Sequence, residues 1–580
     1  MKGALRFWAA GLAAAAAWAQ MTGAGRVPQK AKPLPPGLKA PEVRYVDLAE
    51  QAGLTGVNVS GSEVQQAYIV ENTGTGVAVF DFDNDGLLDI FFVNGDRFER
   101  RAGETITHFL YRNKGGLRFE DVTAASGIAH EGWGQGVCAG DVDNDGFVDL
   151  YVGYWGQNAL YRNQGDGTFR NETAERGLGT PGRRWGTGCA FFDYDRDGWL
   201  DLFVAHYLDF DPAKVPAAGT EGGCRWKGFP VVCGPIGLPP ETMSLYHNEG
   251  EGRFRDVTEE AGVGTAEAAG LTVLTADFDN DGWVDVYVTG DSTPSLLFRN
   301  LGDGKFEEIG EFLGVAYNED GHEQSGMGTS TADYDHDGWL DIVKTNFTDD
   351  IPNLYRNFGD GSFVEVTAAA GLAVHTQFVS WGVAFLDFDH DGWKDIFIAN
   401  GHVYPDIDTR NVGQTFRQPR LLYWNRRDGE FYDMSRQAGP GIAARHSSRG
   451  VALGDLDNDG DQEIVVVNMH EAPSLLKNFG VKANSILIQA LTRDGRDALG
   501  ARITVRTPEG TDFDEVRSGG YYQSQGDFRV HFGLGAAESA DVSIRWPDGE
   551  EESWPDLPAN HWIVIRRGSG VVEKKPLGSR

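Results

Sequence analysis

Aspartate recurs in this chain at a spacing that can hold a hard cation. Seven segments read Asp-x-Asp-x-Asp-Gly-x-x-Asp, starting at Asp81, Asp141, Asp193, Asp277, Asp333, Asp387 and Asp455, and only the last closes differently, with Glu463. Side chains at positions 1, 3, 5 and 9 and the carbonyl of position 7 can surround one point with oxygens. Glycine at position 6 permits the sharp turn, and this is the donor set Ca2+ favours. The expected ligands are Asp81, Asp83, Asp85 and Asp89; Asp141, Asp143, Asp145 and Asp149; Asp193, Asp195, Asp197 and Asp201; and Asp277, Asp279, Asp281 and Asp285. The later copies add Asp333, Asp335, Asp337 and Asp341; Asp387, Asp389, Asp391 and Asp395; and Asp455, Asp457, Asp459 and Glu463. An all-protein oxygen cage suits Ca2+ better than Mg2+, so up to seven Ca2+ sites are expected. A single copy could be a metal-free turn. Seven in register would each crowd four carboxylates together, which is costly without a counter-ion.

The elements that hold these loops are strands. Position 12, where a helix-loop-helix calcium motif needs a bidentate Glu, holds Phe92, Val152, Val204, Val288, Lys344, Ile398 or Val466. Apolar runs such as Gly76 to Phe80 and Gly382 to Leu386 precede the loops, and Ile90 to Val93 and Ile396 to Ile398 follow them. A third element recurs as Leu110-Tyr111-Arg112-Asn113, and again at Leu160 to Asn163, Leu245 to Asn248, Leu297 to Asn300 and Leu354 to Asn357. A Gly-Asp-Gly turn and a Phe often follow, as at Gly165 to Gly167 and Phe169, which marks a hairpin. Each repeat thus supplies about four short antiparallel strands that must stack on their neighbours. The expected fold is all-β: a seven-bladed β-propeller over residues 42–482, with an insertion at 206–244, then a small β-sandwich-like domain over 483–568 and a tail over 569–580. Tyr45 to Leu54 matches the end of a repeat, while the last repeat stops soon after Asn478, so the first strand is expected to complete the last blade. Variable position 4 (Asn84, Arg196, His336, His390) reads as solvent-facing. The frequent Trp at position 7 (Trp199, Trp283, Trp339, Trp393) reads as packing between blades.

Composition sets the setting. The 580 residues include 78 glycines, 51 basic and 86 acidic side chains, a formal charge of −35. Such a surface repels phosphate backbones, which argues against a nucleic-acid partner. Lys2 and Arg6 precede an apolar run from Phe7 to Trp18, and Ala17-Trp18-Ala19 resembles a leader cleavage site, so residues 1–19 read as a signal peptide and 20–41 as a Pro-containing linker. The apolar run is too short to span a bilayer, and no later segment resembles a transmembrane run. The protein is expected to be secreted, to the periplasm or beyond, as a monomer. Cys224 and Cys233 are then expected to bridge a short surface loop, while Cys138 and Cys189 are either buried thiols or a second bridge.

The acidic loops resemble the FG-GAP or VCBS repeats of integrin α chains. Gly500-Ala501-Arg502-Ile503, Ser518-Gly519-Gly520-Tyr521, Ser524-Gln525, His531-Phe532-Gly533-Leu534-Gly535 and Trp546-Pro547-Asp548-Gly549 resemble the ASPIC/UnbV domain. Together they are similar to the cartilage acidic protein family, including its bacterial members, from about residue 42 to 568. Cys224 with Pro230-Val231 and Cys233-Gly234-Pro235, and Asn400-Gly401-His402, also look like that family. The resemblance implies a calcium-binding extracellular protein and no reaction.

No Ser-His-Asp elbow, His-Glu-x-x-His helix or phosphate-cradling Gly loop is present, so no catalytic residue is assigned. Gly recurs five residues before the loop in six copies, and the residue before it changes: Thr75, Gln135, Thr187, Leu271, Met327, Trp381 and Arg449. On innermost strands these would ring one channel mouth, as a ligand site or as filler. His402 and His446 are the candidates for a general base, with no partner carboxylate assignable. The reading is a secreted recognition or adhesion scaffold for a protein or glycan ligand. The alternative is a calcium-dependent polysaccharide lyase or hydrolase working at the channel mouth.

Overall fold

The computed structural model describes residues 27–578 except 131, 180, 181, 183 and 428. The leader expected over residues 1–19 lies outside the described residues. Among the described residues, each acidic loop joins the first two strands of a four-stranded antiparallel unit and the units form a β-propeller; the second and third units share one continuous sheet, and the fourth gains a fifth strand. The first comprises Val77–Phe80, Asp89–Phe92, Phe109–Asn113 and Phe119–Asp121. The innermost strands of the next six are Trp133–Gly140, Arg184–Phe192, Gly270–Ala276, Thr329–Ala332, Ser380–Leu386 and Ser448–Gly454. Each innermost strand packs against the next, and the last packs against the first.

The apolar runs are continuous, without polar alternation, because both faces of every blade are covered. Along the first strand, Val77 and Val79 pack against Ala452, Val465 and Leu475 of the last blade. The intervening Ala78 and Phe80 point the other way, into Val137, Ala139 and Leu150 of the second. The ring closes on the chain's first strand: Tyr45, Val46 and Asp47 pair antiparallel with Asn478, Lys477 and Leu476. Two disulfides brace it. Cys224–Cys233 staples the hairpin of the insertion, and Cys138–Cys189 ties the innermost strands of the second and third blades across 51 residues.

The C-terminal domain is a sandwich of two four-stranded sheets. One contains Asn484–Leu491, Val530–Gly535, His561–Arg566 and Gly570–Pro576; the other Arg502–Thr507, Gly510–Glu515, Ser539–Arg545 and Glu551–Pro558. The segment read as a tail from 569 contains a strand, Gly570–Pro576, which pairs antiparallel with His561–Arg566 at the sheet edge.

Between these strands, residues 517–527 leave the sandwich and fill the propeller channel. Ser518 Oγ accepts the Phe191 amide at 3.1 Å, Gly520 N donates to Val273 O at 2.7 Å, and Tyr521 O accepts Thr329 N at 2.9 Å. Gln523 O takes Val137 N and Gln525 O takes Val79 N, each at 3.0 Å. The plug therefore satisfies the inward amides of several blades at once. It also explains a recurrent glycine: a Cβ on Gly76 would stand 1.8 Å from Gln523 O.

Candidate metal centres of the acidic loops

Within each loop the first carboxylate organises the backbone. In the first copy Asp81 Oδ1 accepts Asp85 N at 3.2 Å and Oδ2 accepts Gly86 N at 2.8 Å, while Asp85 Oδ1 accepts Leu87 N at 2.9 Å. Asn84 takes the left-handed φ of 59° and Gly86 one of 85° to make the turn. Position 9 anchors the loop to its blade: Asp89 Oδ2 accepts Phe82 N at 3.0 Å and Oδ1 accepts Asn113 N at 2.7 Å. The same bonds recur around Asp141 and Asp149 and around Asp387 and Asp395.

Position 3 differs. Asp83, Asp143, Asp335 and Asp389 each keep a buried Oδ1 without a hydrogen-bond partner, and the Asp143 side chain is only 8% exposed. Carboxylate oxygens of Asp81, Asp83 and Asp85 lie within 4.8 Å of one another, as do those of Asp141, Asp143 and Asp149, of Asp193, Asp195 and Asp201, and of Asp277, Asp279 and Asp285. Burial first, then the neighbouring carboxylates, pushes Asp81 and Asp141 up to about 6 against the pull of the loop amides. Burial likewise lifts Asp89 to about 8 and Asp333 to about 7. Orphaned, buried, mutually repelling oxygens at one point fit a hard divalent cation.

Three sets of contacts hold the loops, one within each repeat and two between repeats, and the third strand supplies the first two. Its Arg meets the loop's outer oxygens: Arg112 Nε lies 2.8 Å from Asp83 Oδ2, and Arg356 lies 2.6 Å from Asp335 Oδ2 and 3.0 Å from Asp337 Oδ2. Arg162 pairs with Asp143 and Asp145, and His247 sits 3.1 Å from Asp201 Oδ1. The Asn one residue on reaches the preceding blade. Nδ2 of Asn113, Asn163, Asn248, Asn300, Asn357, Asn425 and Asn478 donates to the position-2 carbonyls of Leu456, Phe82, Val142, Tyr194, Phe278, Tyr334 and Phe388, at 2.8 to 2.9 Å, closing the circle. The repeated Leu-Tyr-Arg-Asn was the visible signal for these residues, yet it reads only as a strand until the blades are stacked.

Position 4, expected to face solvent, is exposed at Asn84, partly covered at Arg196 and His336 and buried at His390, and it makes the third set of contacts. Asn84, Asn144, Asn280 and Asn458 donate to the position-6 carbonyls of Gly146, Gly198, Gly338 and Gly86 in the next loop, and His336 Nε2 bonds Gly392 O at 3.0 Å. The left-handed turn aims this side chain sideways. The position-7 tryptophans receive it: the Arg196 guanidinium lies 3.7 Å from the Trp283 ring centre, and His336 stacks on Trp393 at 3.9 Å. The sandwich sits on the same face. Arg496 bonds Asn144 and Gly198 O, Arg529 bonds Asn458 and Asp455 O, and Arg545 pairs with Asp277.

The expected channel-mouth ring is buried throughout: Thr75, Gln135, Thr187, Leu271, Met327, Trp381 and Arg449 are closed over. The insertion and neighbouring loops, through Tyr207, Trp226, Tyr404 and Phe416, form one apolar cluster with Trp381 and with Tyr522 of the plug. Filler, not a ligand mouth, is what these positions provide. His402 is buried against Gln414, and burial lowers it to about 3, so it is a neutral structural imidazole. His446 does find a carboxylate, Glu471 Oε2 at 2.7 Å, which Arg417 also binds. A separate cavity of about 430 Å³ lies between the first two loops and the sandwich, lined by Asp81, Asp141, Arg496, Arg529, Trp562 and Lys575 among others.

Two family models match the chain. The FG-GAP-like repeat model matches residues 81–152, 141–204, 231–288, 277–344 and 412–466, about half of the chain, and the model described as ASPIC and UnbV matches residues 491–572. The chain belongs to the FG-GAP-repeat proteins that carry an ASPIC/UnbV domain. Human cartilage acidic protein 1 is 26% identical over 502 residues, 82% of this chain and 69% of that protein. Mouse integrin alpha-3 is 26% identical over 167 residues, 26% of this chain and 15% of it. Among solved structures, one of an Agrocybe aegerita lectin that recognises non-reducing terminal N-acetylglucosamine is 16% identical, covering 70% of this chain and 94% of that one at a TM-score of 0.38.

Proposed function

We propose that this protein is a calcium-binding propeller acting as a non-enzymatic extracellular scaffold for recognition or adhesion. The observation that carries the calcium reading is the buried, unpartnered Oδ1 of Asp143 and of its counterparts Asp83, Asp335 and Asp389. Bound Ca2+ would supply the charge that lets the carboxylates at positions 1, 3, 5 and 9 converge. The chain's own contribution is to hold those oxygens rigidly, through the amides that fix positions 1 and 9. Two disulfides and relatives named for cartilage and for integrins support a setting outside the cytoplasm. The buried channel positions support binding by an outer surface over turnover at a mouth.

The test is thermal unfolding with and without excess EGTA, paired with a glycan and protein binding array run in Ca2+ and in EGTA. A lower melting temperature in chelator and a Ca2+-dependent array hit are expected. An unchanged melting curve sinks the calcium reading. Release of unsaturated products from polyuronates would replace the scaffold reading by the lyase one.

A further inference from the structure

We infer that the seventh acidic loop takes no divalent ion, because the ammonium of Lys477 already stands at its centre; the chain then binds six Ca2+, not seven. The inference rests on the calcium reading of the other loops.

Lys477 Nζ lies 3.0 and 2.9 Å from Asp457 Oδ1 and Oδ2, 2.9 Å from Asp459 Oδ2 and 2.9 Å from Glu463 Oε1. Those are positions 3, 5 and 9, three of the four side chains assigned to the cation. The cluster is enclosed: Lys477 is 10% exposed, Asp459 5% and Glu463 0%. Burial works against the charge, and Glu463, Asp459 and Asp457 outweigh it, holding the ammonium above the ordinary lysine range.

Elsewhere the same strand position behaves differently. Arg112, Arg162 and Arg356 engage the outer Oδ2 of position 3 and leave Oδ1 without a partner. A planar guanidinium spans carboxylates from the rim, whereas an ammonium is a compact point charge with three donors that can sit inside a cage of three carboxylates. Asp457 uses both of its oxygens on Nζ.

The repeat with a lysine at this third-strand position is also the one whose loop closes on Glu. In the other copies both oxygens of the position-9 Asp are spent on backbone amides, as at Asp89. The extra methylene of Glu463 lets Oε2 keep the Leu456 amide at 2.9 Å while Oε1 reaches Nζ. The location has a consequence for the fold. Val46 of the ring-closing first strand pairs with Lys477 itself, so the blade where the propeller shuts is pinned by a cation that no chelator can remove.

The experiment is Ca2+ stoichiometry by equilibrium dialysis with metal analysis on the full chain. Wild type is expected to bind six ions and Lys477→Met seven, with the variant's melting temperature in EGTA below that of wild type and recovered by Ca2+. Should Lys477→Met fail to fold, Asp457→Asn and Asp335→Asn decide the matter: the first leaves the count at six, the second lowers it to five. Seven ions on wild type, six on a folded Lys477→Met, or a loss on Asp457→Asn overturns this inference alone. No ion on wild type overturns the calcium reading and this inference with it.

Discussion

Stability against pH should change sign with calcium. In the metal-free protein Asp81, Asp141 and Asp193 are raised from 3.8 to about 6, burial being the largest cause in each. A carboxyl whose folded value exceeds its unfolded one favours the folded state while protonated. Its contribution is complete below 3.8 and disappears as pH rises through about 6. Between pH 5 and 7.5 each such group forfeits about 1.4 kcal/mol, and the three together about 4 kcal/mol. That is a large part of the roughly 5–15 kcal/mol a folded domain commands. Denaturant midpoints in EGTA should therefore fall from pH 5 to pH 7.5. In saturating Ca2+ they should rise over the same window, because the ion competes with protons for the same oxygens. Urea titrations followed by tryptophan fluorescence at four pH values, with and without Ca2+, measure both slopes. A metal-free midpoint that climbs with pH would refute the claim that burial and mutual repulsion of these aspartates dominate the loops.

Other outcomes follow from the contacts. Asn357→Ala deletes bonds to Phe278 O, Leu340 O and Gly359 N, at about 1 kcal/mol each, so it should cost about 3 kcal/mol in denaturant unfolding without changing Ca2+ stoichiometry. A cost under 0.5 kcal/mol, an order-of-magnitude bound for an ordinary surface change, would show that the blade-to-blade asparagines are dispensable. Gly76→Val must displace Gln523, so trypsin should cut at Arg517 faster than in wild type; equal cleavage would mean the plug does not depend on that close approach.

Much of this protein was legible in its residues because the signals are local. An aspartate loop with glycine at position 6, bounded by apolar runs, specifies its own hairpin whatever surrounds it, and its sevenfold recurrence with a displaced first strand specifies a closed ring. The same locality left position 4 half-read. A polar residue in a turn reads as solvent-facing, and only the stacking of blades brings Gly146 O to Asn84. The Arg and Asn of the third strand were visible as a pattern without a purpose, since the Arg partners lie in the loop of the same repeat and the Asn partners in the preceding blade.

The sequence by itself determined the hairpins and the spacing of the acidic side chains along them, since short-range sterics and charge leave few alternatives for such segments. The tertiary structure decided what occupies the space between them. Tyr522 meets the Thr73 carbonyl 449 residues away, and Cys138 meets Cys189 across a blade boundary. The Lys477 ammonium, one residue along a strand from the ring's closing Asn478, fills a loop that sequence alone counts with the other six. Such contacts depend on the angle at which one sheet meets the next, and no period or spacing in the chain carries that angle.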